Sequence, residues 1–285
     1  MPRFLPNCGA WILERAIPGS DCSDAMGCYP LFTCQDWSQL RTDLDTLGKD
    51  LVCISLVTDP FGEYEPDYLR ECFPDVTTSF KELFVVDLSR PLDSFVHSNH
   101  RRNARRALAE MSVEKCANPE EFLEDWTTLY SNLVARHDIK GILTFSQESF
   151  ARQLRVPGIL AFRAVRDSAT VGMVLWYAQD NRAYYHLGAY SETGYDLRAS
   201  FALFNHSLDY FALNGFKWLN LGAGAGAEPG VESGLSRFKQ GWSTDRRTAY
   251  FCGRIFDRVK YDEIVSVRKL PETHYFPSYR RGEFD

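Results

Sequence analysis

Three short apolar segments joined by very little chain constrain this fold more than any other feature of the sequence. The two connections, at 166–169 and 179–181, hold Asp, Ser and Asn, which favour tight hairpin turns. Between residues 171 and 176, side chains at odd and even positions would point to opposite faces of a sheet. The sequence therefore predicts an antiparallel meander of three strands, in the segments ILAFRAV, TVGMVLWYA and RAYYHLGAY.

The elements around this meander predict an α/β order. A helix at about 197–213 follows it, since large apolar residues recur there at helical spacing and Asn214-Gly215 ends the pattern. A strand, a short helix or turn and a last strand come next, in FKWLNLGAG, SGLSRFKQGW and TAYFCGRIFD. Before the meander, SVEKCA predicts a strand, and NPEE and FSQESFARQL predict two helices. Residues 112–257 are expected to form one mixed sheet with the meander at its centre.

The first 111 residues predict a smaller mixed α/β segment. Leucines at helical spacing predict a helix within 36–48, and apolar runs predict strands at 51–59 and 81–88. A helix at about 93–111 carries four arginines. We therefore divide the chain into an N-terminal subdomain at 1–111, a domain at 112–260 and a tail at 261–285. This tail is rich in Pro, Tyr and Arg and is expected to pack loosely.

Composition narrows the classes of function. The formal net charge of −6 disfavours general nucleic-acid binding, because an acidic surface repels phosphate. No apolar stretch is long enough to predict a membrane span, and the first twenty residues do not resemble a secretion signal, so we expect a cytoplasmic protein. The eight cysteines form no CxxC pair and predict reduced thiols and no metal site.

The order of elements resembles the GNAT N-acyltransferase fold, and three segments sharpen the resemblance. HRRNARRA at 100–107, LNLGAGAG at 219–226 and GLSRFKQGW at 234–242 are similar to the branch of the Fem peptidoglycan aminoacyltransferases and the BioF2-like acetyltransferases. The resemblance implies an α/β (α+β) fold with a mixed, mostly antiparallel sheet flanked by helices. It also implies direct acyl transfer from an activated donor to a small-molecule amine in a ternary complex. Since Fem-type proteins pair two such domains, residues 1–111 are expected to be a reduced GNAT-like half.

Three residues are candidates for the chemistry. The resemblance implies that Lys239 binds a substrate anion or stabilises an oxyanion; a solvated lysine is the alternative. His186 lies within a predicted strand, where it would share a face with Tyr184 and Gly188. It could take the proton of the amine, although a core histidine with a hydrogen-bond partner is the other interpretation. Tyr184 could protonate the leaving group or simply pack.

The donor and acceptor sites are predicted from neighbouring segments. AYSETGYDLRAS at 189–200 lacks the RxxGxG/A phosphate loop of typical GNAT enzymes, but amides at a helix N-terminus attract phosphate without it. We therefore expect acyl-coenzyme A to bind near Gly194, Arg198, Ala199 and Ser200. Seven further residues are expected to bind substrate, namely Arg102, Arg106, Trp176, Asn220, Gly222, Phe238 and Trp242. The alternative for the two arginines is a solvated helix face, and the alternative for the two tryptophans is core packing.

Three functions remain open at this point. The first is an N-acyltransferase that uses acyl-coenzyme A, and the second is an aminoacyltransferase that uses aminoacyl-tRNA. The third is a non-catalytic ligand-binding module on a degenerate GNAT scaffold, since fold alone does not fix function. The glycine-rich segment 221–230 is expected to be a loop at the edge of the cleft.

Overall fold

The computed structural model describes residues 1–224, 233–268 and 273–283. The chain divides into two compact units. Unit 1 comprises residues 1–82 and 248–285, and unit 2 comprises residues 83–247. Most of the glycine-rich segment expected at the cleft edge lies outside the described residues.

The strands are numbered in chain order. They are β1 Pro2–Leu5, β2 Ala10–Ala16, β3 Ser23–Gly27, β4 Cys53–Val57, β5 Val76–Asp87, β6 Ser112–Lys115, β7 Ile159–Arg166, β8 Ala169–Gln179, β9 Arg182–Tyr190, β10 Trp218–Gly222 and β11 Asp245–Ile255. The α-helices are α1 Leu40–Leu47, α2 Pro66–Cys72, α3 Leu92–Phe95, α4 Ser98–Leu108, α5 Leu123–His137, α6 Gln147–Gln153, α7 Glu192–Asp196, α8 Ala199–Leu213, α9 Gly234–Gln240 and α10 Arg258–Arg268.

Unit 2 is built on a mixed sheet in the order β5-β10-β9-β8-β7-β6. Strands β7, β8 and β9 pair antiparallel, so the predicted meander is confirmed and lies inside the sheet. Strand β10 pairs parallel with β9 and antiparallel with β5. The predicted fold class is therefore confirmed: a mixed, mostly antiparallel sheet flanked by helices.

Each face of the unit 2 sheet packs against helices. On one face, α4 and α8 cover a core that includes Trp176, Phe204 and Trp242. On the other face, α5 and α6 cover a second core built around Trp126 and Phe150. The meander therefore lies between two closely packed apolar cores, which fix the positions of its strands.

Unit 1 contains a sheet in the order β1-β2-β3-β4-β11. Helices α1 and α2 supply Leu40, Leu44 and Leu69 to the core on one face of this sheet. Three N-terminal strands, helix α2 and helix α10 had no clear sequence signal, because their segments are short and interrupted by polar residues.

The C-terminal residues contradict the expectation of a loosely packed tail. Tyr279 and Arg280 are 1 % and 5 % exposed, and Asp24 is fully buried. Arg280 donates to both carboxylate oxygens of Asp24, at 2.7 and 2.9 Å, and Tyr279 donates to the same carboxylate at 2.9 Å. The segment is fixed by a buried ion pair whose members are 256 residues apart, which no local pattern can predict.

The boundaries of some elements differ from those predicted. The helix expected at 93–111 is two helices, α3 and α4, because Val96 and His97 adopt extended conformations between them. The sequence divided the chain after residues 111 and 260, whereas the compact units divide within strands β5 and β11. None of the helices in the described part of the chain has the length and apolar character to cross a membrane.

Candidate active site

Strand β9 carries a bulge at the centre of unit 2. Leu175 of β8 pairs with Leu187, but the next residue, Trp176, pairs with Tyr185, so His186 is the extra residue of a β-bulge in the β8–β9 register. A bulge of this kind redirects the side chains on either side of it. Tyr185 packs against the α8 core, and Leu187 packs against the α5 core.

The same strand has an open edge beyond the bulge. Pairing between β9 and β10 ends at Tyr184 and Asn220, and β10 itself ends at Gly222. Within the described part of the chain, no strand pairs with residues 185–190 on that side. Backbone N–H and C=O groups along this edge are therefore available to an extended ligand.

The end of β10 is shaped by local hydrogen bonds and a glycine. The side-chain oxygen of Asn220, a residue only 4 % exposed, accepts from the amide of Gly222 at 2.7 Å. Gly222 has a φ of +78°, which glycine adopts without strain. Among the residues that the structure describes, none after Asn220 continues the pairing with β9, which leaves space beside the β9 edge.

Lys239 of α9 points into this space. Ser233 begins the helix, its Oγ accepting from the amide of Ser236 at 3.1 Å. Lys239 is only 6 % exposed, and its Nζ donates to the carbonyl of Ala223 at 2.6 Å. The same Nζ lies 5.5 Å from the centre of the Tyr185 ring. A lysine held this deeply has its ammonium group fixed by contacts rather than by solvent.

Tyr185 is a site residue that sequence reasoning missed. Its ring packs between Trp176 and Phe204, with ring centres at 5.3 and 5.1 Å. A side chain at Gly188 would come within 2.4 Å of the Tyr185 hydroxyl and 2.9 Å of the Tyr190 hydroxyl, so glycine leaves room for both. Burial raises the pKa of Tyr185 and of Tyr190, which keeps both phenols protonated at neutral pH.

His186 faces the other side of the sheet. Its Nε2 lies 2.8 Å from Oε1 of Gln153 on α6, and its ring lies 4.9 Å from that of Tyr177. Burial lowers the pKa of His186 to about 4, so the imidazole is neutral at pH 7. Tyr184 pairs with Tyr177 and is 8 % exposed. The sequence predicted that His186 and Gly188 share one face of the strand. In the structure Gly188 faces α8 and His186 faces α6, because the bulge interrupts the alternation of side chains.

The predicted donor segment forms a sharp turn between β9 and α8. Ser191 accepts from the amide of Gly194 at 3.1 Å, and a side chain at Gly194 would lie 2.0 Å from the carbonyl of Val171. Arg198 precedes α8 with a φ of +60°. Ala199 and Ser200 then begin a helix of 15 residues whose first amides have no partner within the helix.

The predicted substrate-binding residues fall into different environments. Arg102 and Arg106 are exposed on α4 and pair with no described carboxylate. Trp176 and Trp242 are fully buried, so neither can wall a substrate pocket as expected; their rings complete the α8 core. Phe238 also packs on this core, with its ring 4.8 Å from that of Phe204.

A polar cavity of about 990 Å³ lies beside α9 within unit 2. Its lining includes His97, Arg237, Ser243 and Arg246. The size suits a small molecule, and two guanidinium groups suit a ligand with an anionic group. Among the described residues, no three His, Cys, Asp or Glu side chains gather as metal ligands.

Solved structures with similar folds cover nearly the whole chain. FemX has a TM-score of 0.70 at 13% identity, covering 90% of this chain and 86% of that one. The C-terminal domain of a putative lysylphosphatidylglycerol synthetase from Agrobacterium fabrum has a TM-score of 0.66 at 13% identity, covering 93% and 88%. L-PGS from Bacillus licheniformis has a TM-score of 0.61 at 15% identity, covering 95% and 89%. At these identities the likeness establishes the fold.

Sequence comparison identifies the family. No curated protein sequence matches the chain. Residues 94–240, just over half of its length, match the acetyltransferase (GNAT) domain. This range contains the meander, the bulge, the turn before α8 and Lys239. The chain therefore belongs to the GNAT family of acyltransferases.

Proposed function

We propose that this protein is an N-acyltransferase that transfers an acyl group directly from an activated donor to a small-molecule amine. The observation that carries the proposal is the open edge of β9 beside a buried, fixed Lys239. An extended donor could lie along that edge like an added strand, with its carbonyl next to the bulge. The acyl carbon would then sit among oriented N–H groups before any reaction begins.

The proposed donor is acyl-coenzyme A. Its phosphates would bind the amides at the start of α8, where the turn through Gly194 and Arg198 exposes them. The sequence analysis predicted the same turn as the donor site, although this turn lacks the RxxGxG/A phosphate motif. The polar cavity beside α9, with Arg237 and Arg246, is the proposed acceptor site.

In the proposed reaction, the amine nitrogen attacks the acyl carbonyl and forms the new C–N bond. Negative charge develops on the carbonyl oxygen, and the Lys239 ammonium group stabilises it. The C–S bond then breaks, the amine loses a proton to solvent, and the departing thiolate takes a proton. Tyr185 supports this last step, since its protonated hydroxyl lies on the same side of the sheet as Lys239; Tyr184 is the more buried alternative.

His186 has a different role in this proposal from the general base that the sequence suggested. Its Nε2 is already engaged with Gln153, and its ring faces α6. We therefore assign it to holding the bulge that orients Tyr185. The proposal predicts that a neutral substitute able to bond Gln153 keeps most of the activity.

A second donor, aminoacyl-tRNA, is favoured by a specific observation. Arg102, Arg105 and Arg106 form an exposed row on α4 and pair with no described carboxylate. Such a row suits a phosphate backbone. The missing phosphate motif and the FemX-like fold also support aminoacyl-tRNA as the donor. The net charge of −6 supports the smaller donor, acyl-coenzyme A.

The test compares both donors with the same protein. Thermal melting with acetyl-coenzyme A or with aminoacyl-tRNA reports binding, because a true ligand raises the melting temperature. Transfer of labelled acyl group to a panel of amines then reports catalysis, in wild type, in Lys239→Met and in the exposed-lysine control Lys217→Met. Transfer that is lost only in Lys239→Met supports the proposal. Donor binding without transfer to any amine would favour the non-catalytic module, and no binding of either donor would overturn both enzyme hypotheses.

A further inference from the structure

The ring of His100 lies where the start of α4 meets the end of α9. Its Nε2 lies 2.9 Å from the carbonyl oxygen of Phe238, the residue before Lys239. His100 is the first residue of HRRNARRA, and Phe238 belongs to RFKQGW. Two of the three sequence segments on which the family resemblance rests therefore meet through one imidazole.

The Phe238 carbonyl needs a partner from outside its own helix. It lies in the last turn of α9, where carbonyls lose their usual amide donors. The amides of Gly241 and Trp242 donate instead to Arg237 and Lys239, at 3.2 and 3.1 Å. His100 must therefore present a proton at Nε2. Its Nδ1 is then an acceptor, and this atom is buried without a partner among the described residues.

The ring also fixes the turn by contact. Its centre lies 5.1 Å from the ring centre of Trp242 and 5.1 Å from that of Phe201. A side chain at Gly241 would come within 2.3 to 2.7 Å of the imidazole atoms, so only glycine lets the ring lie there. The amide of His97 donates to the carbonyl of Gly241 at 2.9 Å. Helix α4 and the residue that precedes it thus contact the α9 turn on both sides of Lys239.

We propose that His100 is a positioning residue for Lys239, acting through the Phe238 carbonyl and the face of Gly241. The inference rests on the proposed role of Lys239 in acyl transfer. A helix of seven residues has few internal hydrogen bonds to fix its last turn. The donated hydrogen bond and the edge-on contacts of the ring with Phe201 and Trp242 supply that constraint and keep the Lys239 Nζ at the open edge of β9.

The test uses two substitutions at His100 and one remote control. His100→Phe keeps an aromatic ring but removes the N–H, and we expect kcat for acyl transfer to fall at least tenfold. His100→Gln offers an N–H at a similar reach and should recover most of that loss. His137→Phe makes the same change at an exposed histidine of α5 and should leave the rate within twofold of wild type.

A double-mutant cycle separates positioning from general stability. Lys239→Met should lower the rate of acyl transfer roughly 30- to 1,000-fold. The remaining rate is still measurable with a labelled donor. In that background, His100→Phe should change the rate by less than twofold, because the group that it positions is gone. Should His100→Phe fail to fold, Gly241→Ala serves in the cycle, since it displaces the ring and leaves the imidazole in the chain.

Other results would overturn the inference in recognisable ways. Equal losses from His100→Phe in both backgrounds would mean that His100 supports the fold and not Lys239. A large loss from Lys239→Met with no loss from His100→Phe would refute the inference and leave the proposed function standing. An unchanged rate in Lys239→Met would refute the role of Lys239 itself, and the inference with it.

Discussion

Lowering the pH should lower the free energy of unfolding of unit 2 through His186, whose imidazole is buried and neutral. The ring lies against Tyr177, and Nε2 is 2.8 Å from the amide oxygen of Gln153. Charging the ring would place a cation in a site that offers it little solvation, which is why burial lowers the pKa to about 4. In the unfolded chain the same group has a pKa of about 6.5.

The two pKa values set both the sign and the range of the effect. Because the folded pKa is the lower one, the unfolded chain binds the proton more tightly than the folded chain does. The contribution of His186 to stability is therefore complete above about pH 6.5 and is lost progressively toward pH 4. Each pH unit within that range costs about 1.4 kcal/mol. The free energy of unfolding should fall by about 2 kcal/mol at pH 5 and by about 3 kcal/mol at pH 4 from this group.

Urea unfolding at pH 7.5 and pH 5.0 measures the effect. His186→Gln removes the titrating group and keeps a donor for Gln153, so the variant should lose about 2 kcal/mol less than wild type between the two pH values. His137→Gln, at an exposed position, should lose as much as wild type. Other buried histidines titrate equally in all three proteins and cancel in the comparison. Parallel losses in wild type and His186→Gln would refute the burial argument.

Three further outcomes follow from the same structure. Gly194→Ala places a methyl group against a backbone carbonyl and should cost about 3 kcal/mol or more in urea unfolding; a fully stable variant would contradict the turn geometry. Asp24→Asn leaves Arg280 buried without a compensating charge and should cost about 3–5 kcal/mol, whereas Asp45→Asn breaks an exposed ion pair and should cost less than about 1 kcal/mol; equal costs would count against the buried pair. Lys239→Met should lower kcat/KM by about 2–4 kcal/mol of transition-state energy with little change in the urea midpoint, and steady-state kinetics showing no change would return Lys239 to a structural role.

Local periodicity explains which parts of the fold were predictable. The meander needed only the two-residue alternation and two turns, and α8 needed only recurring apolar residues and a terminal glycine. Both patterns lie within thirty or so residues of chain. The spacing of Phe238 and Trp242, four residues apart, is also a local pattern and fits their shared packing against the α8 core.

Features that depend on distant contacts could not be predicted in the same way. The bulge at His186 is a property of pairing between two strands, and alternation alone put His186 and Gly188 on one face. Tyr185 entered the site for the same reason, since the bulge is what separates it from Leu187. The packing of Tyr279 and Arg280 depends on Asp24, at the other end of the chain, so the C-terminal segment carried no pattern of its own.

The arginine-rich sequence of α4 indicated an element of the proposed site, but the arginines are only part of the reason. Its arginines suggested phosphate binding, but residues just before and between them make the inward contacts. His100 holds the turn that carries Lys239, and Asn103 accepts from Arg198, at the start of α8, at 2.8 Å. Ala104 lies on the same side and is 1 % exposed, which lets α4 approach α8 closely. One helix therefore contacts both the proposed donor turn and the Lys239 turn, so a substitution on its inner face should disturb both together, whereas loss of an outer arginine should affect only the binding of a polyanionic donor.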